Sequence, residues 1–270
     1  PVYFVAKVNK VAPSYGVWHT PEKHQGVEAQ WMWYNGDTRL KEQFAREVVG
    51  DSIGAYFRYK FDKEEVVELK VGISYVSIAN ARENLEKEIG NRTFDEVYAA
   101  TRQTWNDALR ATVEGGTDDQ KTIFYTALYH ALIHPNLLND VNGDYPESKT
   151  NKIGKNHQRY TVFSLWDTYR NYHQLLTLLY PEQQLQMVRT MLDIYKESGW
   201  LPKWELNSTE TFTMVGDPAS IVLADTYLRG LTDFDIQTAY EAMLKGANTL
   251  ENNPIRPGVK EYWKLGFFVE

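Results

Sequence analysis

A chain of 270 residues with 43% apolar content has material for a sizeable core, either as one large domain or as a small domain beside a larger one. A formal charge of −7, with no Lys/Arg cluster longer than two, excludes surfaces built for nucleic acid or for an anionic membrane. Zero cysteines exclude disulfides, thiol nucleophiles and thiolate metal sites, and no apolar run approaches the ~20 residues that cross a bilayer.

The first third reads as β. Residues 2–8 form a short run of strand formers. Ile53–Phe61 alternates, with Ala55, Phe57, Tyr59 and Phe61 on one face. Glu65–Val76 alternates more cleanly, placing Val67, Leu69, Val71, Ile73 and Tyr75 opposite Glu68, Lys70, Gly72 and Ser74. Asp62-Lys63-Glu64 between them predicts a hairpin connection. One wet face and one buried face predict an antiparallel sheet packed on a second layer, the tail end of a sandwich.

Near Val76 the period changes from 2 to 3.6. Ser77–Ile89 predicts a linking helix that ends at Gly90, with Arg82/Glu86 and Glu83/Lys87 at i,i+4. Helices are then expected over Thr93–Ala111, Thr117–Ile133, Leu165–Leu179, Pro181–Ser198, Val215–Gly230 and Thr232–Gly246. Phe94, Val97, Tyr98, Thr101, Trp105 and Ala108 form the apolar stripe of the first of these. Thr117-Asp118-Asp119-Gln120 matches a capping box, and Pro181 and Gly199 fall where a start and a stop belong. Residues 134–163 read as a long polar connection. The overall expectation is a mostly α protein with a β portion, its helices paired as stacked hairpins.

Two segments carry candidate chemistry. Tyr160–Arg170 reads Tyr-Thr-Val-Phe-Ser-Leu-Trp-Asp-Thr-Tyr-Arg, and Gly199–Glu210 reads Gly-Trp-Leu-Pro-Lys-Trp-Glu-Leu-Asn-Ser-Thr-Glu. Each mixes indoles with carboxylates and cations. A neutral polyhydroxylated ligand calls for that mixture: flat apolar faces for sugar C–H groups and charged hydrogen-bonders for hydroxyls. Asp167 is read either as a cap at a helix mouth or as an acceptor for two adjacent sugar hydroxyls. In the second reading Trp166 is the stacking floor and Arg170 lies on roughly the same face. Trp200, Lys203, Trp204, Glu205 and Glu210 crowd a loop across Pro202, where aromatic rings cannot all be core. Two carboxylates there suit acid and base, or oxygen ligation of a hard cation. His130 and His134, at i,i+4 on an expected helix, lack the further ligands of a zinc motif and read as packing residues. Asp217 before Pro218 reads as an N-cap.

These segments, in this order, resemble the middle of glycoside hydrolase family 92, the calcium-dependent exo-α-mannosidases. The likeness extends to Asp51–Phe61 with Val66–Glu88, to Thr122–Asn136, to Glu210–Gly216, to Asp233-Phe234-Asp235, and to Arg256-Pro257-Gly258 with Tyr262–Gly266. It is weakest over Trp18–Val49. The resemblance implies the end of a β-sandwich domain over 1–76, a helical linker over 77–92, and the first half of an (α/α)6 toroid over 93–270. It further implies inverting hydrolysis of terminal α-mannosides, with a calcium ion on the sugar hydroxyls. Trp166 and Asp167 would bind the terminal mannose of an oligosaccharide or glycan. Arg170, Lys203, Trp204, Glu205 and Glu210 would lie in or beside the same pocket.

The family's general acid sits in a Glu-Gly-Asn-aromatic motif and its base in a Gly-Asn-Asp-Asp motif. This sequence contains neither, so the catalytic pair is expected beyond Glu270. The chain, beginning at Pro1, reads as a central piece whose partner is the remainder of the same polypeptide, and as inactive by itself. A periplasmic, cell-surface or secreted bacterial location follows from the resemblance alone. The competing reading is a non-catalytic carbohydrate-binding or scaffold fragment. Another inverting glucosidase or a polysaccharide lyase on the same barrel is a further alternative, the lyase disfavoured because only Arg170 and Lys203 stand at the groove among many acids.

Overall fold

The computed structural model describes residues 1–20, 40–155 and 158–267. The chain divides into two compact units, Phe4–Gly72 and Pro1–Tyr3 with Ile73–Glu270. The expectation from the sequence is a mostly α protein with a β portion; among the described residues the structure is mixed α and β, with five strands before the first helix and further short strands among the helices.

In the smaller unit, β2 (Ser14–His19) lies between β3 (Leu40–Gln43) and β4 (Gly54–Arg58), all antiparallel. Trp18 pairs with Gly54. A Cβ at Gly54 would stand 2.4 Å from the Trp18 ring, so only glycine admits the indole there. β1 (Tyr3–Val8) pairs with β5 (Leu69–Ser74). The hairpin expected between 53–61 and 65–76 is therefore not formed: β4 takes β2 as its neighbour and β5 takes β1. Short-range turn signals cannot choose between a local partner and a distant one. Alternation in β5 is real but its faces are covered in the opposite sense to expectation. Gly72 and Ser74 are buried, while Leu69, Val71 and Ile73 are 58%, 45% and 53% exposed. Period 2 says which residues share a face; it does not say what lies against that face.

The larger unit opens with α1 (Ile78–Glu88), capped by Ser77, whose side chain accepts from Asn80 N–H. Buried Asp140 ties this helix to the following loop, accepting from Ser74 Oγ at 2.7 Å, Asn80 Nδ2 at 2.8 Å and Asn84 Nδ2 at 2.6 Å. Next come α2 (Phe94–Ala108) and α3 (Asp118–Ala131), both begun by full capping boxes, at Thr93/Glu96 and Thr117/Gln120. α2 forms as its periodicity predicts, yet none of its residues is buried. α3 stops at Ala131, so His134 leaves the helix and the i,i+4 pair with His130 is not presented on one face.

The 134–163 connection is not structureless. It holds two small antiparallel pairs, β6 (Asn136–Leu137) with β9 (Tyr160–Thr161) and β7 (Tyr145–Pro146) with β8 (Ile153–Gly154). β10 (Phe163–Ser164) follows, and the single helix expected over 165–179 is broken in two: α4 (Leu165–Thr168) and α5 (Tyr172–Leu179). Then come α6 (Pro181–Ser198), β11 (Trp204–Leu206), β12 (Thr209–Glu210), α7 (Pro218–Leu228), α8 (Ile236–Asn248) and α9 (Val259–Leu265). α6 spans the residues that Pro181 and Gly199 predicted, with Gly199 left-handed at φ 84°. α9, between left-handed Gly258 and Gly266, was not among the helices expected.

The core sits on α6. Leu185, Met187, Val188, Met191, Leu192 and Ile194 are buried on more than one of its faces, which marks a central helix rather than a surface one. Leu176 of α5, Val222 and Leu223 of α7, and Ala239 and Ala242 of α8 pack into the same cluster.

Candidate functional site

Three short strands bring the two candidate segments together. β11 lies between β10 and β12, with Phe163 opposite Glu205, Ser164 opposite Trp204, and Glu205 opposite Glu210. Segments far apart in sequence therefore share one small sheet, and α4 starts directly from its edge.

α4 is one turn, four residues long, and its N-cap Ser164 gives no side-chain bond to the helix backbone. Leu165 is fully buried, Trp166 is half-buried, and Asp167 is exposed. Ser164 Oγ donates to the Asp167 carboxylate. Arg170 lays its guanidinium 5.2 Å from the Trp166 ring centre and 5.3 Å from Tyr169, while its Nε donates to the Tyr169 hydroxyl at 3.0 Å. A Cβ built on left-handed Gly216 would stand 3.9 Å from the Trp166 indole. Trp166, Asp167 and Arg170 thus form an aromatic, charged and solvent-facing patch.

The other expected residues lie on β11, on β12 or directly before them. Glu205 has no exposed surface. Its carboxylate accepts from Thr161 Oγ1 at 2.9 and 3.0 Å, from Val162 N–H at 3.1 Å and from Ser208 N–H. Burial pushes its pKa up to about 7, against the lowering effect of those donors and of Arg159. Two unusual backbone conformations depend on it. Val162 has φ 65°, a costly value for a β-branched residue. Asn207 and Ser208, at φ 47° and 64°, make the two-residue reversal between β11 and β12, which matches a type I′ turn. Asn207 N–H donates to Thr161 Oγ1 at 2.7 Å, which closes the network.

Glu210 is half-buried and accepts three backbone N–H groups: Lys203 at 2.8 Å, Trp204 at 3.0 Å and Phe212 at 2.6 Å. Lys203 is buried and donates Nζ to the Ile255 carbonyl at 2.8 Å. Burial lowers its pKa, with Asp217 and Glu210 acting the other way. Trp204 is half-buried in β11. Asp217 caps α7 as its sequence suggests, accepting from Ser220 N–H, and is also paired with Arg256 at 2.9 Å.

Calcium asks for six to eight oxygen ligands. Glu205 and Glu210 spend their oxygens on N–H and O–H donors, and among the described residues no group of three or more His, Asp or Glu side chains converges to hold a metal. The described residues do not make a calcium cage.

The catalytic-domain model of glycosyl hydrolase family 92 matches residues 80–270, well over half of the chain. The chain belongs to glycosyl hydrolase family 92. Among solved family 92 structures, an inverting mannosidase of Bacteroides thetaiotaomicron is 27% identical with a TM-score of 0.83, and the match covers 99% of this chain and 35% of that one. An α-mannosidase of the same organism and family, solved in complex with mannoimidazole, is 29% identical with a TM-score of 0.78, covering 97% and 33%. An uncharacterized secreted glycosidase of Arthroderma benhamiae is 30% identical over 188 residues, which are 67% of this chain and 20% of that protein. The chain therefore spans about a third of the length of the family 92 structures and a fifth of the fungal relative.

Sequence reasoning singled out neither Thr161 nor Thr168, and it missed buried His173 and Gln184, which follow on from Thr168. The one available signal was a histidine within the apolar run Tyr172–Leu179. Such a residue needs polar partners when it is buried.

Proposed function

We propose that the full-length protein containing this chain removes terminal α-linked mannose from an oligosaccharide or glycan by inverting hydrolysis, and that this chain supplies part of the pocket for that sugar. Trp166 is the floor on which the hexose stacks, Asp167 accepts two adjacent hydroxyls, and Arg170 flanks them, with Trp204 beside the patch. Lys203, Glu205 and Glu210 contribute from behind by fixing the strands and turn that carry the patch. The observation that carries the reading is the pairing of Ser164 with Trp204. It sets an indole and an exposed carboxylate at the edge of one small sheet, in a chain whose solved relatives include mannosidases. Domain roles follow the same reading: 1–76 as the end of a β-sandwich, 77–92 as a linker, and 93–270 as the first half of an (α/α)6 toroid. The acid and base belong to the two acidic motifs that these 270 residues do not contain. Calcium assistance is part of the proposal, but no step is assigned to the ion through the described residues. A periplasmic, cell-surface or secreted site of action suits a substrate of this kind. No described helix is long and apolar enough to cross a membrane.

The test is release of mannose from an aryl α-mannoside by the full-length enzyme, with and without a chelator. Turnover that the chelator removes is expected. Sugar binding without turnover, in protein carrying both acidic motifs, would favour the non-catalytic reading instead.

A further inference from the structure

Beneath the Trp166–Asp167 turn runs a line of polar side chains that no part of the proposed pocket requires for direct contact. Thr226 Oγ1 on α7 donates to the Val222 carbonyl at 2.7 Å and accepts from Gln184 Nε2 on α6 at 2.8 Å. Gln184 Oε1 in turn lies 3.0 Å from His173 Nδ1 on α5. His173 Nε2 lies 3.1 Å from Thr168 Oγ1 on α4, whose hydroxyl also donates to the Ser164 carbonyl at 3.1 Å. Thr226, Gln184 and His173 are each 1% exposed or less.

The polarity of the line follows from its far end. With the Thr226 proton on Val222 and the Gln184 amide on Thr226, Gln184 Oε1 is left to accept, so His173 carries its proton on Nδ1. Burial keeps the ring neutral by lowering its pKa to about 4. Nε2 is then a lone pair, and the single Thr168 proton is shared between it and the Ser164 carbonyl.

Apolar side chains would pack four helices together at less desolvation cost than this chain of dipoles. What the dipoles add is direction. α4 is a single turn, which has no stability of its own in water, and its N-terminus lacks a side-chain cap. Its geometry has to be imposed from below. Leu165 and Thr168, three apart, are the residues of α4 that engage the interior, and Trp166 and Asp167 are the pair between them.

We propose that His173 is a positioning residue: through the Thr168 hydroxyl it fixes the one-turn helix that presents Trp166 and Asp167, and so sets the geometry with which a terminal hexose is held. The proposal rests on the mannose-pocket reading for its consequence, though not for its structural content.

Two readouts on the full-length enzyme keep the two apart. The first is kcat/KM on an aryl α-mannoside for Thr168→Val, which keeps shape and removes the hydroxyl, and for Thr168→Ser, which keeps the hydroxyl. The second is hydrogen exchange at the Tyr169 amide, which donates to the Leu165 carbonyl at 3.0 Å and so reports the turn without substrate. For Thr168→Val a loss of about tenfold or more in kcat/KM is expected, since misplacement of a binding group by about 1 Å can cost 10²-fold. Exchange at Tyr169 should accelerate about tenfold, and Thr168→Ser should stay within about twofold of the parent in both. His173→Phe should reproduce the valine variant, and the double variant should be no worse than either single one. Unchanged exchange at Tyr169 in Thr168→Val overturns the inference whatever the substrate is. Faster exchange with unchanged kcat/KM also overturns it, because the residue would then be structural only. A parent enzyme that does not turn over mannosides sinks the substrate reading alone, and the exchange data still decide the role of His173.

Discussion

The α4 turn starts from β10, the strand that pairs with the β11–β12 hairpin, and both regions carry acidic side chains in opposite circumstances. Asp167 is exposed and takes one hydroxyl from its own turn. Glu205 is sealed from water and takes donors from Thr161, Val162 and Ser208. An exposed carboxylate keeps lone pairs for a ligand, whereas a buried one has already committed them to the fold. Under the proposed function the two regions divide the labour: the exposed carboxylate binds the sugar and the buried one fixes the strands beside it.

The largest effect that sharpens this comparison is on activity. If Asp167 binds the sugar as proposed, Asp167→Ala in the full-length enzyme should lower kcat/KM on an aryl α-mannoside by at least ~100-fold, the expected loss of two charge-assisted bonds to hydroxyls. Its stability should move by no more than about 0.5 kcal/mol, as for other exposed positions. A folded variant with unchanged kinetics would erase the distinction between the regions.

Glu205→Ala should act chiefly on stability, costing about 3 kcal/mol in a denaturant melt because the Thr161 hydroxyl and the Val162 and Ser208 N–H groups lose their acceptor. A cost below about 1 kcal/mol would mean that the strained backbone at Val162 is held by something else.

The same carboxylate gives the pair a pH signature. The folded pKa of Glu205 is raised to about 7 from its ordinary 4.5, so the folded state binds the extra proton between these values. The contribution is intact below the unfolded pKa and declines as pH rises through 4.5 to 7, by up to about 3 kcal/mol. Unfolding followed across that range should show the decline, and Glu205→Gln should flatten it. A profile identical in the two proteins would remove Glu205 as its source.

The smallest effect belongs to Arg170, which lies over Trp166 and Tyr169 at the surface. Arg170→Met keeps the packing stem and should raise KM only a few-fold, as an exposed cation–π contact is worth ~0.5–1 kcal/mol. A loss as large as that of Asp167→Ala would place the guanidinium on the sugar itself.

Much of this arrangement could be read in advance and some could not, for reasons visible in particular residues. Thr117 announced its helix because a cap is a local bond between neighbours in sequence. The break after Thr168 could not be seen, because neither Gly nor Pro marks it. Its contacts are to Gln174, whose side chain donates to the Tyr169 carbonyl at 2.9 Å, and to His173, both on the next helix. The candidate patch was legible as a mixture of indoles and acids. Which acid faced water was not, since Asp167, Glu205 and Glu210 are chemically alike on paper.

The sequence by itself determined where most helices begin and end, which strand residues share a face, and that the chain carries family 92 motifs. All of these depend on short-range bonds or on residue identity. Only the tertiary structure decided that β5 pairs with β1 rather than β4, that its apolar face is the exposed one, and that Glu205 is buried while Asp167 is not. Those outcomes depend on what packs against a residue from far along the chain, and no local pattern encodes the identity of a distant neighbour.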